Sequence, residues 1–280
     1  MNFKALKQHF IEQIAGTYDA EEASSIFYIA AEKISNRNRS QVILNQTEEV
    51  KALELEQYTA VINDLIAGKP IQHILEEAYF FGLHFTVNSD VLIPRVETEE
   101  LISWILDEVS SSSKLTLLDV GTGSGCIAIT LKKHLTEATV YALDISKPAL
   151  AIAKKNALAN GAALQFVSSS IFDYQTHVKF DLIVSNPPYI KEDEMQAMQS
   201  IVLDHEPHQA LFVSNENPLL FYNTIADFAI IHLTEGGHLF FEINEYLGPE
   251  TVKMLRIKGL KNIILRKDMQ GKNRMIYCRK

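Results

Sequence analysis

Leu115-Thr116-Leu117-Leu118-Asp119-Val120-Gly121-Thr122-Gly123-Ser124-Gly125 decides the fold, because a short apolar run breaks there into three alternating glycines. Leu115 to Val120 has the length and composition of a buried strand. Glycine permits a tight turn and lets the backbone approach a ligand closely. Cys126 to Leu135 then resumes as a helix. Beyond it the pattern predicts a strand over Thr139–Asp144, a helix over Lys147–Asn160, and strands over Leu164–Val167 and Leu182–Ser185. A helix around Leu219–His232 and a strand over His238–Ile243 follow. Such alternation implies a doubly wound, mainly parallel sheet that binds ligands at the strand C-termini. Asn262–Arg266 and Arg274–Arg279 are expected as a hairpin at one edge of that sheet.

Upstream, the first 77 residues read as helical. Phe3, Leu6, Phe10 and Ile14 keep a period of about 3.6 residues. Asp19 with Glu22 suggests a capping box ahead of Ile26, Phe27, Ala30 and Ile34. Thr47 is expected to cap a third long helix carrying Val50, Leu53, Val61, Leu65 and Ile66, which stops at Gly68-Lys69-Pro70. Tyr79-Phe80-Phe81 and Leu83 to Val87 then read as short strands. A helix over Thr98–Val109 and the polar joint Ser110-Ser111-Ser112-Ser113 lead into the alternating region. The expected division is therefore a helical recognition domain at 1–77, a β-hairpin linker at 78–97 and a ligand-binding α/β domain at 98–280.

Composition is that of a soluble globular protein, with 47% hydrophobic and 22% charged residues. No apolar run approaches membrane-spanning length, and Met1-Asn2-Phe3-Lys4 opens no signal pattern, so no membrane partner and a cytoplasmic location are expected. Cys126 and Cys278 have neither disulfide-framework nor zinc-site spacing, which predicts reduced thiols and no metal. His205 and His208 are paired in sequence but lack a third ligand. A net charge of −9 argues against nucleic acid as the main partner. Thr251 to Lys280 is the exception, with ten Lys/Arg against the single acid Asp268. It reads as a solvated face, with an RNA or acidic-partner patch as the lesser alternative.

Two halves of a site follow from the residues. Asp144 ends the strand after the glycine turn, 23 residues beyond Gly121. A carboxylate there accepts hydrogen bonds from both hydroxyls of a ribose. Ser146 is the natural cap of the next helix, which leaves Asp144 free for the ligand. The spacing G-x-G-x-G favours S-adenosylmethionine over a dinucleotide. The second half is Asn186-Pro187-Pro188-Tyr189, straight after the apolar run Phe180 to Ser185. Proline donates no backbone hydrogen bond and biases the residue before it to an extended conformation, so the strand must stop there. The Asn186 side-chain oxygen and the Pro187 carbonyl are then two fixed acceptors, which is what holding an NH2 group requires.

At these residues the chain resembles the class I methyltransferases and, more closely, the HemK/PrmC family of N5-glutamine methyltransferases. The resemblance runs through Gly68-Lys69-Pro70-Ile71-Gln72-His73-Ile74, Leu92-Ile93-Pro94-Arg95-Val96-Glu97-Thr98-Glu99, the glycine turn, Asn186-Pro187-Pro188-Tyr189-Ile190, Glu206-Pro207 with Ala210-Leu211, and Gly236-Gly237 ahead of Phe240-Phe241-Glu242. It implies a class I, Rossmann-like α/β methyltransferase domain with a small N-terminal helical domain. It implies methyl transfer from S-adenosylmethionine to the glutamine of the Gly-Gly-Gln tripeptide in class I peptide chain release factors. Cofactor contacts are expected from Gly121, Thr122, Gly123, Ser124, Gly125, Asp144, Ile145, Ser170, Ile171 and Asn186. Asn186, Pro187, Pro188 and Tyr189 are expected on the substrate, with Asn186, Pro187 and Tyr189 catalytic. Arg95, Glu97 and Glu99 either line the cofactor mouth or pair at the surface.

Four positions depart from the family pattern. Val96 replaces a second proline and Glu76 a glycine. Ser170 and Ile171 stand where the family has an acid and an adenine-stacking aromatic. The alternatives are glutamine methylation of a ribosomal protein, amino-methylation of a nucleic-acid base, and a catalytically silent binding module. A monomer is expected.

Overall fold

The computed structural model describes residues 1–109, 114–191, 193 and 205–280. The tetraserine joint, Ser110 to Ser113, lies outside the described residues. The chain divides into two compact units, with the division after Glu77 and with His205 belonging to the first unit.

The first unit holds α1 (Phe3–Ile14), α2 (Ala20–Ser35), α3 (Arg39–Leu44), α4 (Ala52–Ile66) and the single turn α5 (Ile71–Ile74). Asn2 caps α1, and Asp19 caps α2 by accepting from the N–H groups of Glu21 and Glu22. Phe10, Phe27 and Tyr58 meet at the centre, each fully buried, with Phe10 edge-on to Phe27 at 5.5 Å. The Thr47 expectation fails: α4 starts at Ala52 after Lys51, which makes no side-chain cap. The missed helix α3 lies between, closed by a reciprocal capping box of Asn38 and Gln41. Glu76 has φ 51°, a left-handed conformation that costs a side-chain-bearing residue about 1–2 kcal/mol. That is a physical reason for the glycine usual at this place in the resembled family.

The second unit opens with the antiparallel hairpin β1 (Ala78–Phe80) and β2 (Leu83–Phe85). Phe80 and Phe85 are buried in the core of this unit, so the hairpin packs as part of it. Next comes α6 (Val96–Glu108), whose first helical residue is Val96, a position that suits proline. A seven-stranded sheet follows, built from β3 (Thr116–Val120), β4 (Thr139–Asp144), β5 (Gln165–Ser168), β6 (Phe180–Ser185), β9 (Leu233–Glu242), β10 (Lys261–Lys267) and β11 (Asn273–Arg279). Its order is β10-β11-β9-β6-β3-β4-β5, parallel from β9 through β5 and antiparallel where β11 pairs with β9 and β10. The two short strands β7 (Ile190–Lys191) and β8 (Phe212–Val213) form a separate parallel pair.

Helices α7 (Cys126–His134), α8 (Lys147–Ala159), α9 (His208–Leu211), α10 (Leu220–His232) and α11 (Gly248–Ile257) complete the unit. Two apolar layers result. Leu101, Ile105, Ile127, Leu131 and Phe240 belong to one, and Ile183, Tyr222, Ile225, Phe241 and Leu255 to the other. Alternate residues of one strand, Phe240 and Phe241, thus feed opposite layers, the signature of a sheet covered on both faces. Strand order turns back between β3 and β6, and there the two loops of interest emerge side by side. No helix among the described residues is long and apolar enough to cross a membrane.

Candidate active site

β3 runs into the glycine turn, which is tied to the neighbouring strand: Gly121 and Thr122 donate their N–H groups to the Leu143 carbonyl at 2.8 and 3.0 Å. Asp144, at the end of β4, closes the turn from the other side. Its Oδ2 accepts from Gly123 N–H and its Oδ1 from Ser146 N–H, both at 2.8 Å. Each carboxylate oxygen keeps lone-pair capacity beyond that loop contact, and Asp144 lines the cavity in front of the turn. Burial pushes the Asp144 carboxyl up, and the hydrogen bonds from Gly123, Ser146 and Ile145 oppose it. Ser146 caps α8 as expected, accepting from Ala149 N–H at 3.2 Å.

Gly123 has φ 55°, and a Cβ built on it would meet nothing within 4 Å, so its backbone stands open to a ligand. Gly125 is different. With φ 83° it starts α7, and a Cβ there would lie 2.9 Å from Ile129 Cδ1 and 3.2 Å from Ala153 Cβ. This glycine lets α7 and α8 approach each other. Gly125→Ala should therefore destabilise the protein by roughly 2–5 kcal/mol, from left-handed strain plus crowding. Thermal melts would show it, and a Tm equal to that of the wild type would contradict it.

Thr122 and Ser124 turn inward and do not line the cavity. Thr122 Oγ1 donates to Asp119 Oδ2 at 2.6 Å, so its task is to anchor the turn to β3. Burial pushes the Asp119 carboxyl up to about 7 against the pull of that bond. The unfolded value is near 3.8, so the folded chain holds the proton more tightly. The stabilisation is fully present below about pH 4 and is lost as pH rises to about 7. Asp119→Asn has no proton to lose, so its Tm should gain on wild type across that range. Parallel Tm curves would contradict this.

The cavity, of about 270 Å³, is lined by Gly121, Gly123, Asp144 and Ile145 on the β3–β4 side and by Ser170, Ile171 and Phe172 after β5. Asn186, Pro187 and Pro188 close it beyond β6. Ser170 Oγ accepts from Phe172 N–H at 3.2 Å, and Ile171 is buried. The sequence reading passed over Phe172 and Phe221, which both line the cavity with ring centroids 5.5 Å apart. Phe172 directly follows Ile171, the residue at the expected aromatic position, and being 49% exposed it offers a ring face to a ligand. Asp90, Val91 and Leu92 add another wall, and Pro207 and Ala210 a further one. These last two walls are clipped together. Arg95 pairs with the buried Glu206 carboxylate, whose Oε2 also accepts from Ile93 N–H at 3.3 Å. Arg95 therefore acts through an ion pair beside the cavity.

At the end of β6, Ser185 Oγ donates to the Val120 carbonyl at 2.7 Å, locking the two critical strand ends together. Asn186 Nδ2 donates to Thr98 Oγ1 at 3.4 Å, and Thr98 Oγ1 donates to Glu242 Oε2 at 2.6 Å. Tyr189 reaches the same carboxylate, its hydroxyl donating to Glu242 Oε1 at 3.2 Å, and its carbonyl accepts from Asn244 Nδ2 at 3.0 Å. Burial pushes the Glu242 carboxyl up, while the Thr98 bond, the Arg274 charge and the Tyr189 bond pull it down. Burial also raises the Tyr189 phenol, reinforced by the Glu242 charge, so Tyr189 is held as the protonated phenol. Tyr189 itself is not among the cavity-lining residues.

Other candidates are set apart. Cys126 and Cys278 are free thiols pushed up to about 12 by burial. His205 and His208 fall in different units, and no group of three potential metal ligands occurs among the described residues.

The arrangement fits S-adenosylmethionine: a carboxylate for a ribose, an open glycine backbone, an aromatic face, and an amide side chain in one cavity. The methyltransferase small domain model matches residues 98–211, and the PrmC N-terminal domain model matches residues 6–75. A crystal structure of a methyltransferase from Pyrococcus furiosus shares the fold with a TM-score of 0.53 at 17% identity, covering 80% of this chain and 98% of that one. A release factor glutamine methyltransferase of Bacteroides thetaiotaomicron is 44% identical over 228 residues, 81% of this chain and 80% of its own. One from Flavobacterium psychrophilum is 44% identical over 280 residues, 99% of this chain and 98% of its own. With that identity along nearly its whole length, the chain belongs to the release factor glutamine methyltransferase family.

Proposed function

We propose that the protein methylates the side-chain amide nitrogen of the glutamine in the Gly-Gly-Gln tripeptide of class I peptide chain release factors. The observation that carries this reading is Asn186 with Pro187 lining the same cavity as Asp144 and the glycine turn. The full-length similarity to release factor glutamine methyltransferases supports the choice of acceptor. Residues 1–77 are assigned to acceptor recognition and residues 98–280 to the reaction.

S-adenosylmethionine would be held by Gly121, Gly123, Asp144, Ile145, Ile171 and Phe172, which line the cavity, and would supply a methyl group bound to a positively charged sulfur. The acceptor is a poor nucleophile because the amide lone pair is delocalised into the carbonyl. Asn186 Oδ1 and the Pro187 carbonyl each accept a hydrogen bond from the acceptor NH2, aiming the remaining lone pair. The same two oxygens favour the positive charge that grows on nitrogen as the N–C bond forms and the S–C bond breaks. Positioning of two reactants is worth up to about 7–11 kcal/mol, so geometry outweighs acid–base work. The surplus proton on the N-methylated amide is acidic enough to pass to water. Tyr189, expected on the acceptor, stands outside the cavity lining and instead ties Asn186's loop to Glu242.

The test compares a cognate release factor with a version whose tripeptide glutamine is replaced by glutamate. Labelled methyl should pass to the first and not to the second. Equal labelling of both would move the acceptor elsewhere, and a ribosomal-protein glutamine would then be tried.

A further inference from the structure

We propose that Thr98 and Glu242 are positioning residues that decide which way round the Asn186 amide faces. This rests on the reading that Asn186 holds the acceptor NH2. An asparagine presents an oxygen and an NH2 of nearly equal size, so shape alone does not choose between them. Only the oxygen can accept from an NH2 group. A flipped amide would set donors against donors.

The choice is made by a chain of hydrogen bonds that begins in the core. Glu242 is 1% exposed at the end of β9 and, as a carboxylate, has only acceptors. Its Oε1 accepts a hydrogen bond from the Tyr189 hydroxyl and its Oε2 one from the Thr98 hydroxyl. Thr98 has one hydrogen and has now spent it, at the short distance of 2.6 Å. What Thr98 Oγ1 still offers is lone pairs, and the half of Asn186 that meets them is Nδ2, at 3.4 Å. That contact is long for an N–H···O bond. The selection therefore comes as much from the flipped alternative, in which Oδ1 would face another acceptor without a proton between them. With Nδ2 turned to Thr98, Oδ1 is the end left for the acceptor. Thr98 comes from the first turn of α6 and Glu242 lies 144 residues further on, so two segments distant in sequence set one amide.

A double-mutant cycle tests this on the full-length enzyme with release factor as acceptor. Thr98→Val, which removes the hydroxyl but keeps the shape, should lower kcat about tenfold, the order of one lost hydrogen bond. The donor Kd should stay within about twofold, because Thr98 does not line the cavity, and Thr98→Ser should restore turnover. In an Asn186→Ala background the same Thr98→Val change should cost nothing more, because the amide it orients is gone. A full tenfold loss in both backgrounds would overturn the relay and leave the Asn186 assignment standing. If Asn186→Ala alone leaves turnover intact, the grip on the acceptor falls and the relay falls with it. Glu242→Gln runs the same cycle should Thr98→Val not fold, since a glutamine NH2 facing Thr98 frees the hydroxyl proton toward Asn186. The wild-type protein offers a check that needs no variant. Nuclear Overhauser contacts from the Asn186 side-chain NH2 protons to the Thr98 side chain are expected, and their absence would overturn the proposal.

Discussion

Asn186→Ala is expected to lower turnover by roughly 10²–10³-fold while donor affinity stays nearly unchanged, by analogy with loss of a single oxyanion-hole contact. The asymmetry follows from position. Asn186 follows β6 and Asp144 ends β4, on either side of β3, and Ser185 locks β6 to β3, so truncating Asn186 leaves the glycine turn and the ribose carboxylate in place. What disappears is one of two acceptors for the amide N–H groups. That loss is felt where positive charge develops on nitrogen, so kcat carries the effect. Single-turnover rates with donor titration separate the two quantities. Turnover within a few-fold of wild type would sink the assignment.

Asp144→Ala should do the reverse, weakening donor binding by about 10²-fold, in keeping with hydrogen bonds to a charged group worth about 1.5–3 kcal/mol each. Two losses combine there. The ribose hydroxyls lose their carboxylate, and Gly123 and Ser146 lose the acceptor that holds the turn in its open form. Turnover at saturating donor should suffer less than affinity, because Asp144 is remote from the reacting nitrogen. Isothermal titration of the donor reads this directly. An unchanged Kd would remove Asp144 from the ribose site.

How far such a site is legible in sequence depends on how local its causes are. The glycine turn, Asp144 and Asn186-Pro187-Pro188 announce themselves because each is a short break in an apolar strand, and strand and turn chemistry act over a few residues. The alternation that surrounds them brings their strand ends to one edge of a mainly parallel sheet, while the order of the strands came only with the fold. The edge hairpin, β10 with β11, was foreseen for the same reason.

Long-range partners were not legible. Thr98 and Glu242 read as an ordinary helix residue and a strand-end acid until the fold sets them 2.6 Å apart. Phe221 gave no signal, since an aromatic on an apolar helix reads as core, and only its pairing with Phe172 places it at the cavity. Local competition explains the other misses. Thr47 looked like a cap, yet Asn38 and Gln41 close a reciprocal box upstream and α4 begins only after Lys51. The strand expected from His238 starts at Leu233, which pairs with Phe180 across a register shift in β6 between Phe180 and Leu182.

The most direct measurement is peptide-mapping mass spectrometry on a cognate release factor after incubation with the purified protein and S-adenosylmethionine, with duplex DNA as a parallel acceptor. One added methyl on the Gly-Gly-Gln glutamine, absent with Asn186→Ala, is the predicted result. An unmodified release factor together with tight donor binding, or methyl transfer to the DNA instead, would contradict it.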